Sequence, residues 1–124
     1  MRTIQFGREA TALVLILSLL GAHNAAQAAV DAGRALAEEA CSACHQVTPG
    51  QMRPPPVANP DEGSKVQAPA FAEVARLCLS ESDLRTKITS PHYPMREQVL
   101  TDIDVGALAQ YIRSLMPRSG CPIR

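Results

Sequence analysis

The chain has 124 residues and no tryptophan, and its aromatic side chains are limited to Phe6, Phe71, Tyr93 and Tyr111. A chain this short buries only a modest core. One so poor in large side chains gains from a big apolar object supplied from outside the polypeptide. Neither sign of charge is in excess, with twelve Lys and Arg against twelve Asp and Glu. Nucleic acid or an anionic membrane surface would call for a basic surplus, so neither is expected as a partner. No segment of four or more residues alternates like a half-buried strand, and no internal repeat is present. The scarcities leave a small, loop-rich, all-α domain as the expected class.

A long apolar run is also missing. The stretch TALVLILSLL (Thr11 to Leu20) is well short of the roughly 20 residues that span a bilayer. It follows the basic Arg2 and Arg8 and precedes Ala26-Gln27-Ala28, which fits an A-x-A cleavage site. That is the layout of a secretory signal peptide. The expected division is a signal peptide over 1–28 and one domain over 29–124, exported without stable membrane insertion. Cleavage removes Arg2, Arg8 and Glu9 from the balanced charges and leaves a net charge of −1.

Within 29–124, Asp31 is a candidate N-cap for a helix from about Ala32 to Ala40. The segment from Val47 to Pro69 carries six of the ten prolines and reads as loop. Phe71 to Leu77 suits a short helix. Ser80 with Asp83, and Thr101 with Asp104, suggest capping boxes that open two further helices. The first of these cannot continue past Pro91. The second carries the stripe Val105, Leu108, Ile112 and Leu115, stopped by Pro117 and Gly120.

The chemistry is concentrated in ACSACHQ (Ala40 to Gln46), which holds two of the four cysteines and one of the three histidines. A structural zinc site needs four ligands, and Cys78, Cys121 and His92 offer no second pair at short spacing. A redox dithiol belongs at the start of a helix after a strand, whereas this pair follows a helix and precedes a proline-rich loop. Haem attachment needs what is present. Cys41 and Cys44 can add across the two vinyl groups of one porphyrin, and the adjacent His45 then sits under the iron. Such an iron takes a second axial ligand, usually Met or His. Met52 lies seven residues from His45, too near to reach the opposite face easily, and Met116 ends the last helix, where it suits packing. Met95 and His92, both in SPHYPM (Ser90 to Met95), remain as candidates on chemistry alone.

These features in this order resemble class I c-type cytochromes, the small mono-haem cytochrome c family, across essentially all of 29–124. Gly33, eight residues before Cys41, matches the glycine that lets the N- and C-terminal helices cross closely. Tyr111 in LAQYIRSL matches the aromatic packed at that crossing. APAF (Ala68 to Phe71) resembles the segment whose proline carbonyl, here that of Pro69, accepts a hydrogen bond from the haem histidine. The resemblance also makes SPHYPM the methionine loop, so His45 and Met95 are the implied iron ligands and one covalent haem c the implied cofactor. Some positions depart from it. Ala37 stands where phenylalanine is common, Arg96 follows Met95 in place of a frequent proline, and the loop over 46–68 is enlarged. That loop suits a solvated surface role, with haem-edge shielding or partner recognition as further roles.

Cys78 and Cys121 have no place in the family pattern. In an oxidising compartment a leftover pair is most simply a disulfide. The implied function is a monomeric periplasmic carrier of single electrons, not an enzyme, whose partner is a redox enzyme such as a dehydrogenase or an oxidase. Its exposed rim would lie near Ala43 and Cys44 and near Tyr93 to Arg96. Two other readings stand beside it. One is a haem c sensor or peroxide-reactive domain with a displaceable methionine; the other is a dedicated subunit of a dehydrogenase complex.

Overall fold

The structure is a computed structural model and describes residues 7–59, 63–90, 99–117 and 119–121. Four helices carry it: α1 (Gly7–Ala40), α2 (Phe71–Arg76), α3 (Glu81–Thr89) and α4 (Asp102–Ser114). Between α1 and α2, β1 (Val57–Ala58) and β2 (Lys65–Val66) pair antiparallel, with Val57 opposite Val66 and Ala58 opposite Lys65. The domain is therefore mostly helical with one two-residue ribbon in its largest loop. Two residues per strand are too few for an alternating pattern to register in the sequence. Among the described residues, no helix is long and apolar enough to cross a membrane.

Helix α1 is longer than the capping signal implies. Asp31 lies well inside its 34 residues, so it is not an N-cap. Its carboxylate instead accepts from the Gln27 amide one turn earlier, at 3.0 Å. The reason is local composition: from Ala25 to Ala40 the chain is half alanine, the best helix former, and contains no proline. The other helices begin where hydroxyl and carboxylate side chains mark them. Ser80 Oγ accepts from the Asp83 backbone N–H at 3.1 Å and opens α3. At α4 the reciprocal box closes. Thr101 Oγ1 accepts from Asp104 N–H at 3.2 Å, and the Asp104 carboxylate accepts from Thr101 N–H at 2.9 Å. The Thr101 hydroxyl, which donates to the same carboxylate at 2.7 Å, and then the Thr101 N–H hold the Asp104 carboxyl below the usual carboxylate range.

The core lies where α1 and α4 cross, and α2 and α3 also pack on α4. Leu108, Ala109, Tyr111 and Ile112 of α4 are buried with Ala37 of α1, Val47, Phe71 and Ala75 around α2, and Leu84 of α3. A Cβ on Gly33 would overlap the carbonyl oxygen of Ala107 and come within 2.9 Å of Tyr111 Cβ. The backbones therefore touch at that point, and only glycine leaves room for them. Ala37, one turn on, is fully buried against the same face.

Cys78, in the turn between α2 and α3, is joined to Cys121 beyond α4, with Cα atoms 5.7 Å apart. The turn itself is tight, since Cys78 has a φ of 53°. Glu81 binds Arg85 at 3.2 Å and Arg113 of α4 at 3.4 Å, adding a polar tie across the same α3–α4 seam.

Two measurements follow from this packing. Gly33→Val is expected to lower unfolding stability by at least about 2 kcal/mol through overpacking at the crossing. Gly50→Ala, where an added Cβ meets nothing within 4 Å, should stay within about 0.5 kcal/mol of the parent; urea unfolding compares the two, and equal losses would contradict the packing argument. Non-reducing peptide mapping is expected to recover a Cys78–Cys121 cross-linked peptide. The Cys78→Ser/Cys121→Ser protein, with that closed segment of 43 residues' separation opened, should lose about 4 kcal/mol on the chain-entropy model.

Candidate functional site

The ACSACHQ stretch begins where α1 ends. Cys41 N–H still bonds back to Ala37 O at 3.0 Å, and the next turn closes through Cys44 N–H and His45 N–H, which both donate to Cys41 O at 3.2 and 2.9 Å. One tight turn thus brings the two thiols and the imidazole together. Both cysteines are free and half-buried. Burial, and then the neighbouring Cys44, push the Cys41 thiol above its usual value. That direction is opposite to the one that activates a thiol as a nucleophile. Zinc fares no better: among the described residues no group of three or more His, Cys, Asp and Glu side chains is placed to hold a metal ion.

The imidazole is oriented from outside the motif. His45 Nδ1 lies 2.8 Å from the carbonyl oxygen of Pro69. A carbonyl only accepts, so Nδ1 carries the proton and any metal bond from this ring is made by Nε2. A second link runs parallel to the first, with Phe71 N–H donating to Gln46 O at 3.0 Å. The Phe71 ring packs against the His45 ring at a centroid distance of 5.5 Å and against Tyr111 at 6.4 Å. An aromatic row therefore connects the motif to the helix crossing. Tyr111 extends it, since its buried hydroxyl donates to Val47 O at 2.8 Å.

Gln51 is a residue that sequence reasoning missed. Its Oε1 accepts from Val47 N–H at 2.8 Å, and its Nε2 donates to Ser42 O at 3.2 Å. Gln46 Nε2 in turn donates to Gln51 O at 2.6 Å. One amide thus fastens the peptide groups on both sides of His45. Nothing in the sequence marks it, because its partners are backbone atoms that any residue carries. Met52, the next residue, is almost wholly exposed. Met116 packs against the core with the Cys121 sulfur 3.4 Å from its own. Met95, His92, Tyr93 and Arg96 lie outside the described residues.

The family model for cytochrome c matches residues 30–116. The chain belongs to the cytochrome c family. That match covers the end of α1 that carries Gly33, all of α4, the CSACH turn, Pro69 and Met95. A cytochrome c-552 from Bradyrhizobium diazoefficiens is 35% identical over 108 residues, which cover 85% of this chain and 93% of that protein. No solved structure matches the chain significantly. The family is one of covalent haem c proteins that carry electrons, and the residues present fit such a group. Two free thiols flank a turn that ends in an imidazole, its proton committed to a carbonyl and its other nitrogen available to iron.

The fastening of this turn is open to measurement. Gln51→Ala removes an acceptor from Val47 and a donor from Ser42 and is expected to cost about 2 kcal/mol. Tyr111→Phe, which loses one buried hydrogen bond, should cost about 1 kcal/mol. Guanidinium unfolding of both variants tests the order; a Gln51→Ala protein as stable as the parent would show that the amide is not holding the turn.

Proposed function

We propose that this member of the cytochrome c family is an exported mono-haem carrier of single electrons, with thioether links from Cys41 and Cys44 and iron ligation by His45 and Met95. The observation that carries the reading is the His45–Pro69 hydrogen bond of 2.8 Å beside two free thiols. It sets the tautomer that a ligating histidine needs and makes the imidazole a stronger donor. The packing of Met116 and the exposure of Met52, on the motif's own loop, support Met95 as the second ligand. The bound haem supplies an iron that takes up and releases one electron. The chain's own part is to hold the ring, keep water from one face, and fix the imidazole so that little moves when the charge changes.

Ala43 is exposed and Cys44 half-buried, which supports a rim for electron exit on that side of the turn. The expected partner is a redox enzyme, a dehydrogenase or an oxidase, met through a small transient interface by a monomer. The apolar run over Thr11–Leu20 and the A-x-A pattern at Ala26–Ala28 support export to the periplasm with cleavage after Ala28. Such a cut falls within α1 and leaves the Gly33 crossing in the mature protein.

The deciding experiment is an optical spectrum of Met95→Ala in both oxidation states. The low-spin six-coordinate signature of the parent is expected to disappear, with rapid binding of CO to the reduced variant. An unchanged low-spin spectrum would assign the second ligand elsewhere.

A further inference from the structure

The large loop between the motif and α2 returns to the site through Arg53. Its guanidinium forks onto the Glu73 carboxylate, Nη1 to Oε1 at 3.0 Å and Nη2 to Oε2 at 2.8 Å. Nη2 also donates to Ala68 O at 3.3 Å. The same Glu73 Oε2 accepts the backbone N–H of Ala70 at 2.9 Å. Ala68 and Ala70 flank Pro69, so one ion pair grips the chain on both sides of the carbonyl that His45 uses. The hold on Ala70 is the more telling. Its N–H and the Pro69 C=O belong to one planar trans peptide and point in opposite directions. Fixing that N–H on Glu73 therefore fixes the direction of the carbonyl aimed at His45.

We propose that Arg53 and Glu73 are positioning residues for the axial imidazole, and that by locking the 69–70 peptide plane they set the strength of the His45–Pro69 hydrogen bond and with it the reduction potential. The inference rests on His45 being an iron ligand. The enlarged loop then has a task beyond solvation: it delivers the guanidinium. The side chains are 40% and 42% exposed, so the pair contributes little to global stability. Its effect is local. The hydrogen bond from Ala70, and then Arg53, hold the Glu73 carboxyl below the usual carboxylate range, which keeps it ionised at neutral pH. A weaker bond from Nδ1 makes the imidazole a poorer donor to iron. The oxidised state then loses support and the potential rises.

Charge and position are separable. Arg53→Ala removes a cation, which lowers the potential, while loosening the carbonyl raises it. Glu73→Ala removes an anion, so both contributions raise it. The double variant leaves net charge unchanged and isolates position. In the holo double variant the equilibrium constant for reduction is expected to rise two- to tenfold, about 20 to 60 mV at 59 mV per factor of ten for one electron. In the reduced protein, the His45 Nδ1 proton should exchange faster with solvent by NMR, while the unfolding midpoint stays close to the parent. Glu73→Gln, which keeps an acceptor for Ala70 N–H, should restore slow exchange. Parental potential and exchange in the double variant would overturn the inference, and so would single-variant shifts that are opposite in sign and cancel in the double. If the His45 ring protons of the oxidised parent show no paramagnetic shift, the ligand reading itself falls and takes the inference with it.

Discussion

The contact between Gly33 and the Ala107 carbonyl is the constraint on which the rest of the domain depends. It lets α1 and α4 approach backbone to backbone, and the buried residues gather around that crossing. Because α1 runs straight into the Cys41–His45 turn, the crossing also decides where the thiols and the imidazole stand. Tyr111 carries the constraint outward: it packs at the crossing, meets Phe71, and binds the Val47 carbonyl two residues past His45. A small core with few aromatics thus places Phe71 and Tyr111, its large rings among the described residues, between the helix pair and the site.

The turn itself has little regular structure to stiffen it, and side chains do that work from two directions. Gln51 fastens the peptides around His45, while Arg53 and Glu73 fasten those around Pro69. The two groups sit at opposite ends of the same hydrogen bond. A proline-rich loop suits this role, because proline limits the backbone's freedom and the short ribbon at Val57–Val66 closes the excursion. The loop read from sequence as a solvated surface segment is tied to the site at both ends.

The disulfide and the Glu81–Arg113 ion pair join α3 and the turn before it to α4 and the chain beyond. Cys78 to Cys121 ties the turn before α3 to the chain beyond α4. The Gln51 and Arg53 contacts bear instead on His45 and Pro69.

What was legible in the sequence was local. Cys41, Cys44 and His45 fall within one turn, so their chemistry needs no tertiary knowledge. Ser80 and Thr101 announce α3 and α4 because an N-cap bonds only two or three residues ahead. The resemblance carried Gly33, Pro69 and Tyr111 into place, which spacing alone would not have done. The first helix does not begin at Asp31, since an alanine-rich run continues through a residue that elsewhere starts one. The tertiary structure alone decided that Gln51 meets Val47 and Ser42, and that Arg53 and Glu73, twenty residues apart, bracket Pro69. Backbone carbonyls and amides are alike at every position, so which of them a side chain meets is set by the path of the folded chain.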